Sequence, residues 1–120
     1  MLALVVDDSP TMRNMVKAVL EQIGFDVSTA QDGKRAIKIL GNKRMDVIIT
    51  DINMPNMNGY EFIKEIRSNA SYKAVPILIL TTESTADAKA EGKAAGASGW
   101  IVKPFNPEIL INAVSRVCSI

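Results

Sequence analysis

The sequence has no histidine. Any mechanism that needs an imidazole must borrow it from another molecule. Cysteine occurs once, at Cys118, which excludes an internal disulfide and a thiolate metal cluster. Cys118 is expected to serve as a small apolar residue on the last helix. Neither sign of charge dominates: 14 Lys and Arg stand against 13 Asp and Glu, a net charge of +1, and like charges do not cluster. That balance argues against nucleic acid or an anionic membrane as the main partner. No apolar run approaches the length of a membrane span. The opening "MLALVV" has no basic segment before it and reaches Asp7 too soon for a secretory signal. A cytoplasmic protein is expected.

At 120 residues, 48% of them apolar, the chain is expected to form a single domain over residues 1–120. A chain of this size buries roughly two thirds of the surface its unfolded form exposes, so it folds without staples. No linker, internal repeat or low-complexity segment is visible.

Short runs rich in Val and Ile alternate with longer segments of helical period. Leu2 to Val6 reads as a buried strand. Ser9 and Pro10 then make an N-cap and first-turn pair for a helix. Met12, Met15, Val16, Val19, Leu20 and Ile23 fall on one face of that helix, and Gly24 stops it. Residues 25–29 read as a second strand. Asp32 or Gly33 opens a second helix carrying Ala36, Ile37 and Leu40. Residues 46–50 form a third strand, and the loop "NMPNMNG" follows it. Residues 60–68 read as a helix with Phe62, Ile63 and Ile66 inward. Pro76 starts a fourth strand that ends at Thr81 and Thr82. Residues 84–95 form a fourth helix, 100–102 a short fifth strand, and Asn106 with Pro107 caps a final helix through Val117.

Strands that read as continuous apolar runs are buried on both faces. Five such βα units predict a flavodoxin-like (βα)5 fold, a doubly wound α/β parallel sheet of strand order 2-1-3-4-5. Ligands of such sheets bind at the carboxyl ends of the strands, where the chain reverses direction. Asp7 and Asp8 follow the first strand, Asp51 the third, Thr81 and Thr82 the fourth, and Lys103 the fifth. At ~4 Å, two like charges repel by about 4 kcal/mol at an effective dielectric of 20. Three carboxylates in one crevice therefore call for a cation or a shared proton. Lys103 supplies one positive charge, and a hard divalent ion such as Mg²⁺ suits a site of few carboxylates and several retained waters.

"VVDDSPTMR", "DINMPNMNGYEF", "LTTES" and "GASGWIVKPF" together resemble the response-regulator receiver family, and most closely its single-domain chemotaxis members. The resemblance runs from the first strand to the last helix. It implies that Asp51 accepts a phosphoryl group from a phosphohistidine on a partner histidine kinase. It also implies that Asp8 and Asp51 bind Mg²⁺ directly, Asp7 through a water, and the backbone carbonyl of Asn53 completes the protein ligands. The Asn53 side chain would face the phosphoryl group. Thr81 would hydrogen-bond one phosphoryl oxygen and Lys103 would pair with another, leaving Thr82 a spectator. The family's Lys-Pro bond after the fifth strand is cis, which is expected here at Lys103–Pro104.

In the family, phosphorylation draws the hydroxyl inward and an aromatic on the fifth strand changes rotamer. The matching residues are Thr81 and Trp100. Receivers more often carry Tyr or Phe there; indole is larger and has only an N–H donor. The fourth helix is Ala-rich, contains Gly92 and lacks large aliphatic residues, so it is expected to be the least firmly seated. With the fifth strand and last helix it would form the output face. Met54 and Met57 are expected to anchor the loop by packing.

The chain is expected to have no output domain after the last helix, so the signal is expected to leave by docking to a target such as a flagellar motor switch. A separate phosphatase is a further expected partner, and the chain is expected to be a monomer. A phosphate sink and an excised receiver of a longer regulator are alternatives of the same class. A phosphatase-type enzyme would need a D-x-D pair and a substrate cap, which the adjacent acids and the length leave out. A flavin carrier would need a Ser/Thr-rich phosphate loop where "DDSPT" places negative charge. The chain is therefore not expected to be an enzyme beyond its own phosphorylation and dephosphorylation.

Overall fold

The inner strands are short apolar runs buried on both faces, whereas the edges of the sheet keep exposed residues. In the computed structural model, which describes residues 1–118, five strands form one parallel sheet in the order β2-β1-β3-β4-β5. They are β1 (Leu2–Val6), β2 (Asp26–Ala30), β3 (Val47–Thr50), β4 (Ile77–Thr81) and β5 (Gly99–Val102). The helices between and after them are α1 (Pro10–Gln22), α2 (Gly33–Leu40), α3 (Gly59–Arg67), α4 (Ala86–Ala95) and α5 (Pro107–Cys118). The strand order is the one expected from the alternation of apolar runs and helical segments. β3 and β4 are buried along their whole length, as a central parallel strand must be.

Side chains alternate across the sheet, and the core splits accordingly. Leu4, Val6, Ile48, Ile77 and Ile79 pack under α2, α3 and α4, with Phe62, Ile63 and Leu40 as the large buried partners. Ala3, Val5, Ile49, Leu78 and Leu80 pack under α1 and α5, against Val16, Leu20, Leu110 and Val114.

Local chemistry starts each helix. Ser9 Oγ accepts from Met12 N at 3.2 Å and Pro10 occupies the first turn. Asn58 and Glu61 form a reciprocal capping box at α3. Thr85 caps α4 and Asn106 Oδ1 accepts from Ile109 N at 2.8 Å. Each such cap is worth about 1 kcal/mol.

Several sequence expectations shift. Met15 is 49% exposed: it sits at the margin of the α1 stripe, and only Val16, Val19 and Leu20 are buried. β2 begins at Asp26, because Phe25 N still bonds back to Leu20 O in the turn that closes α1. α4 begins at Ala86 instead of Ser84, since Thr85 provides the capping oxygen. A 3-10 turn at Ala70–Tyr72, capped by Asn69, had no counterpart in the apolar pattern. Cys118 lies half-buried at the end of α5, and its Sγ donates to Asp46 O at 3.4 Å.

Candidate functional site

β1 and β3 are neighbours with Val6 opposite Thr50. The next residue on each strand is an aspartate, so sheet register alone sets Asp7 beside Asp51. Backbone bonds fix both: Asp7 N donates to Ala30 O at 3.1 Å and Asp51 N to Val6 O at 2.9 Å. β5 pairs with β4 so that Thr81 lies opposite Val102. Lys103 follows at once, and its N donates to Thr81 O at 2.7 Å. The Lys103–Pro104 bond is cis, as expected.

The Lys103 side chain reaches back across the edge. Its Nζ donates to Asp7 Oδ2 and to Asp51 Oδ2, each at 2.8 Å. The remaining carboxylate oxygens bond backbone: Asp7 Oδ1 accepts from Ser9 N at 2.9 Å and Asp51 Oδ1 from Ile52 N at 2.6 Å. Asp7 and Asp51 are both buried, while Asp8 is exposed. Arg13 Nη1 donates to the Asp7 carbonyl at 2.7 Å, which braces the β1–α1 turn.

Burial pushes the Asp7 carboxyl above the usual carboxylate range, although the bonds from Lys103 and Ser9 pull the other way. Burial works to lower Lys103, but the bonds and charges of Asp51 and Asp7 outweigh it and hold the ammonium above its ordinary value. One oxygen from each of Asp7, Asp8 and Asp51 lies within 4.8 Å of the other two. Three carboxylates against one ammonium leave a deficit of positive charge. The donors are all hard oxygens, and one of the three acids faces solvent where waters can be retained. The residues present therefore fit a small divalent cation such as Mg²⁺.

The other expected site residues fall around this cluster. Thr81 is fully buried, and its Oγ1 accepts from Glu83 N at 3.4 Å, whereas Thr82 is exposed. That difference separates two hydroxyls that spacing alone did not. Asn53 is exposed on the loop two residues past Asp51. Trp100 is half-buried and its Nε1 donates to Glu83 O at 2.9 Å. Its indole lies over Gly92, where an added Cβ would come within 2.8 Å of Trp100 Cζ3 and of Ile79 Cδ1. The glycine that weakens α4 as a helix thus makes room for the indole. A hollow of about 300 Å³ lined by Leu40, Asn42, Ile66 and Tyr72 opens near the C-terminal ends of α2 and α3, at the opposite edge of the sheet from the acids.

Residues that the sequence reading passed over also converge here. Asp32, which the sequence offers alongside Gly33 as the opening of α2, caps that helix with one oxygen, and its second oxygen accepts from Asn56 Nδ2 at 3.1 Å. Arg13 had no assigned role. No spacing rule marks either contact, because both partners come from other turns of the chain.

A parallel 2-1-3-4-5 sheet with an acid cluster and a cis-proline lysine at its carboxyl edge defines a class, and sequence comparison agrees with it. The family model for the response regulator receiver domain matches residues 3–115, and the chain belongs to that family. Within it, the chain is a receiver of the type found in chemotaxis regulators. It is 43% identical over 112 residues to the chemotaxis protein CheY1 of Helicobacter pylori, covering 92% of this chain and 90% of that protein. The solved structure of the chemotaxis protein CheY4 of Vibrio cholerae superposes with a TM-score of 0.93 at 51% identity, covering 97% of each chain. The receiver domain of a sensor histidine kinase from Pseudomonas aeruginosa superposes with a TM-score of 0.91 at 28% identity, over 99% of this chain and 98% of that one. That structure has a magnesium ion coordinated in its active-site cleft. Among the described residues, no helix is long and apolar enough to cross a membrane.

Proposed function

We propose that residues 1–120 act as one phosphorylation-controlled receiver in the cytoplasm, with Asp51 as the phosphoacceptor and a histidine kinase as donor. The observation that carries this reading is the Lys103 ammonium held between Asp7 and Asp51 at 2.8 Å from each. A buried carboxylate aligned by a lysine and a backbone N–H, at the edge where this fold binds ligands, is poised as a nucleophile.

Asp51 uses one carboxylate oxygen to form a bond to phosphorus. The phosphorus–nitrogen bond of the donor's phosphohistidine breaks, and the imidazole leaves with the electron pair and takes up a proton. Phosphoryl transfer is governed by positioning and by stabilising charge on the three equatorial oxygens. Lys103 is placed to follow Asp51 and pair with one of these oxygens. Thr81 donates its hydroxyl to another. Asp8, Asp51 and the Asn53 carbonyl would hold Mg²⁺, with Asp7 acting through water. When bound, Mg²⁺ supplies the positive charge that one lysine cannot. The Asn53 side chain faces the phosphoryl group and influences its hydrolysis.

The chain is a signalling protein whose only chemistry is its own phosphorylation and dephosphorylation. When Thr81 turns toward the phosphoryl group, it gives up its contact with Glu83 N. Glu83 O is the partner of the Trp100 indole, so the change reaches α4, β5 and α5. That face docks the downstream target, and the similarity to chemotaxis regulators favours a flagellar motor switch. Beryllofluoride with Mg²⁺ tests the reading through fluorescence of Trp100, the single tryptophan. A saturable change that needs Mg²⁺ and is lost in Asp51→Asn supports it; the same change in Asp51→Asn contradicts it.

A further inference from the structure

Capping α2 needs only one oxygen of Asp32. Oδ1 does that work, accepting from Arg35 N at 2.8 Å. Oδ2, 3.9 Å from Arg35 Nε, also reaches across 24 residues to accept from Asn56 Nδ2 at 3.1 Å. Asp32 is 4% exposed, so neither oxygen is merely solvated. The next residue makes a second contact to the same loop. Gly33 lies so close to Met57 that an added Cβ would stand 2.9 Å from Met57 Cγ and 3.0 Å from Sδ. Two consecutive residues at the start of α2 thus grip two consecutive residues of the loop after Asp51.

That loop needs an outside hold. Its ends are fixed: Ile52 N bonds Asp51 Oδ1, and Gly59 N donates to Ile52 O at 2.9 Å. Its middle turns sharply, with Asn56 at φ 69° and Met57 N donating to Pro55 O at 2.7 Å. Left-handed backbone suits asparagine, but asparagine alone does not choose the loop's position relative to Asp51. The tie to Asp32 adds to the packing of Met54 and Met57 against the core in fixing it. Asn53 lies between the fixed end at Ile52 and the tied point at Asn56.

We propose that Asp32 is a positioning residue: through Asn56 it sets the height of the Asn53 carbonyl over the Asp7–Asp8–Asp51 cluster and so tunes Mg²⁺ affinity. The proposal rests on the receiver reading above. Groups that orient metal ligands commonly change affinity 10- to 100-fold when removed.

The test is calorimetric titration with Mg²⁺ alone on the wild type and three variants, each checked by thermal melting. Asn56→Gly keeps the left-handed backbone and the charge but removes the donor. Asp32→Asn keeps a competent cap but presents an amide to an amide. The double variant Asp32→Asn/Asn56→Asp exchanges donor and acceptor at unchanged net charge. Both single variants should bind Mg²⁺ about tenfold more weakly, and the double variant should return to within about threefold of wild type. A purely structural cap would not be rescued by the exchange. Wild-type affinity in Asn56→Gly overturns the proposal, as does a folded double variant that recovers nothing. If Asp32→Asn fails to fold, Asn56→Gly decides alone. Absence of Mg²⁺ binding by the wild type overturns the receiver reading itself.

Discussion

Lys103 and Asp51 are 52 residues apart in the chain and 2.8 Å apart in space, and the same Lys103 Nζ lies 2.8 Å from Asp7. The ammonium is nearly buried, as are both carboxylates. One cation thus stands between two acids that sheet register forces together.

Removing that cation separates its two roles. Lys103→Met leaves two buried carboxylates facing each other, and breaking a buried pair costs about 3–5 kcal/mol. We expect a loss in that range in Mg²⁺-free buffer, with part of it recovered when Mg²⁺ is added. Urea denaturation with and without Mg²⁺ measures it. Phosphorylation by acetyl phosphate should fall about a hundredfold, the scale of losing one charge-stabilising donor.

Gly59→Ala should disrupt the site from outside it. A Cβ at Gly59 would overlap the Asp51 carbonyl oxygen and stand 2.8 Å from Ile52 Cα, with only backbone to give way. Overpacking costs about 1–3 kcal/mol where side chains can adjust, so the upper end of that range is expected here. Chemical denaturation should show the loss, and phosphorylation of Asp51 should slow with it.

Gly92→Ala should expel the indole. The added methyl meets Trp100 Cζ3 and Ile79 Cδ1, each at 2.8 Å. We expect a red-shifted Trp100 emission and a stability loss of about 1–3 kcal/mol, despite the better helix propensity of alanine. An unchanged emission maximum would show that the indole does not depend on the gap at Gly92.

Asp7 and Asp32 should give opposite pH signatures in metal-free buffer. Burial raises the Asp7 pKa, so its contribution is present below the carboxylate range and is lost as pH rises through the folded value. Asp7→Asn should therefore gain on the wild type between pH 4 and pH 8. Asp32 is lowered, first by the bond from Arg35 N, so its contribution is present at neutral pH and is lost as pH falls through its folded value. The deficit of Asp32→Asn should shrink toward acid. Thermal melting from pH 4 to pH 8 reads the first, and melting below about pH 4, where a lowered carboxyl is protonated, reads the second.

Much of this site was legible in the sequence because apolar strands end on its residues. Asp7, Asp8, Asp51 and Lys103 each follow such a run, and parallel register converts that position into proximity. Local caps were equally plain, at Ser9 and Asn106. Contacts between turns were not. Asp32 reads as a cap, and nothing in its neighbours announces Asn56. The sequence likewise gives no sign that the Arg67 guanidinium on α3 donates to the carbonyls of Tyr72, Val75 and Gly96 at 2.6–3.1 Å. Carbonyl partners leave no mark in a sequence. Met15 failed differently: a stripe read by period has soft margins, and packing decides which residue falls outside.

The central claim is that Asp51 takes the phosphoryl group. Intact-mass spectrometry after incubation with acetyl phosphate and Mg²⁺ tests it most directly. The account predicts the gain of one phosphoryl group by the wild type, no gain without Mg²⁺, and none in Asp51→Asn. A wild type that gains nothing, or an Asp51→Asn variant that gains the group at the wild-type rate, would contradict it.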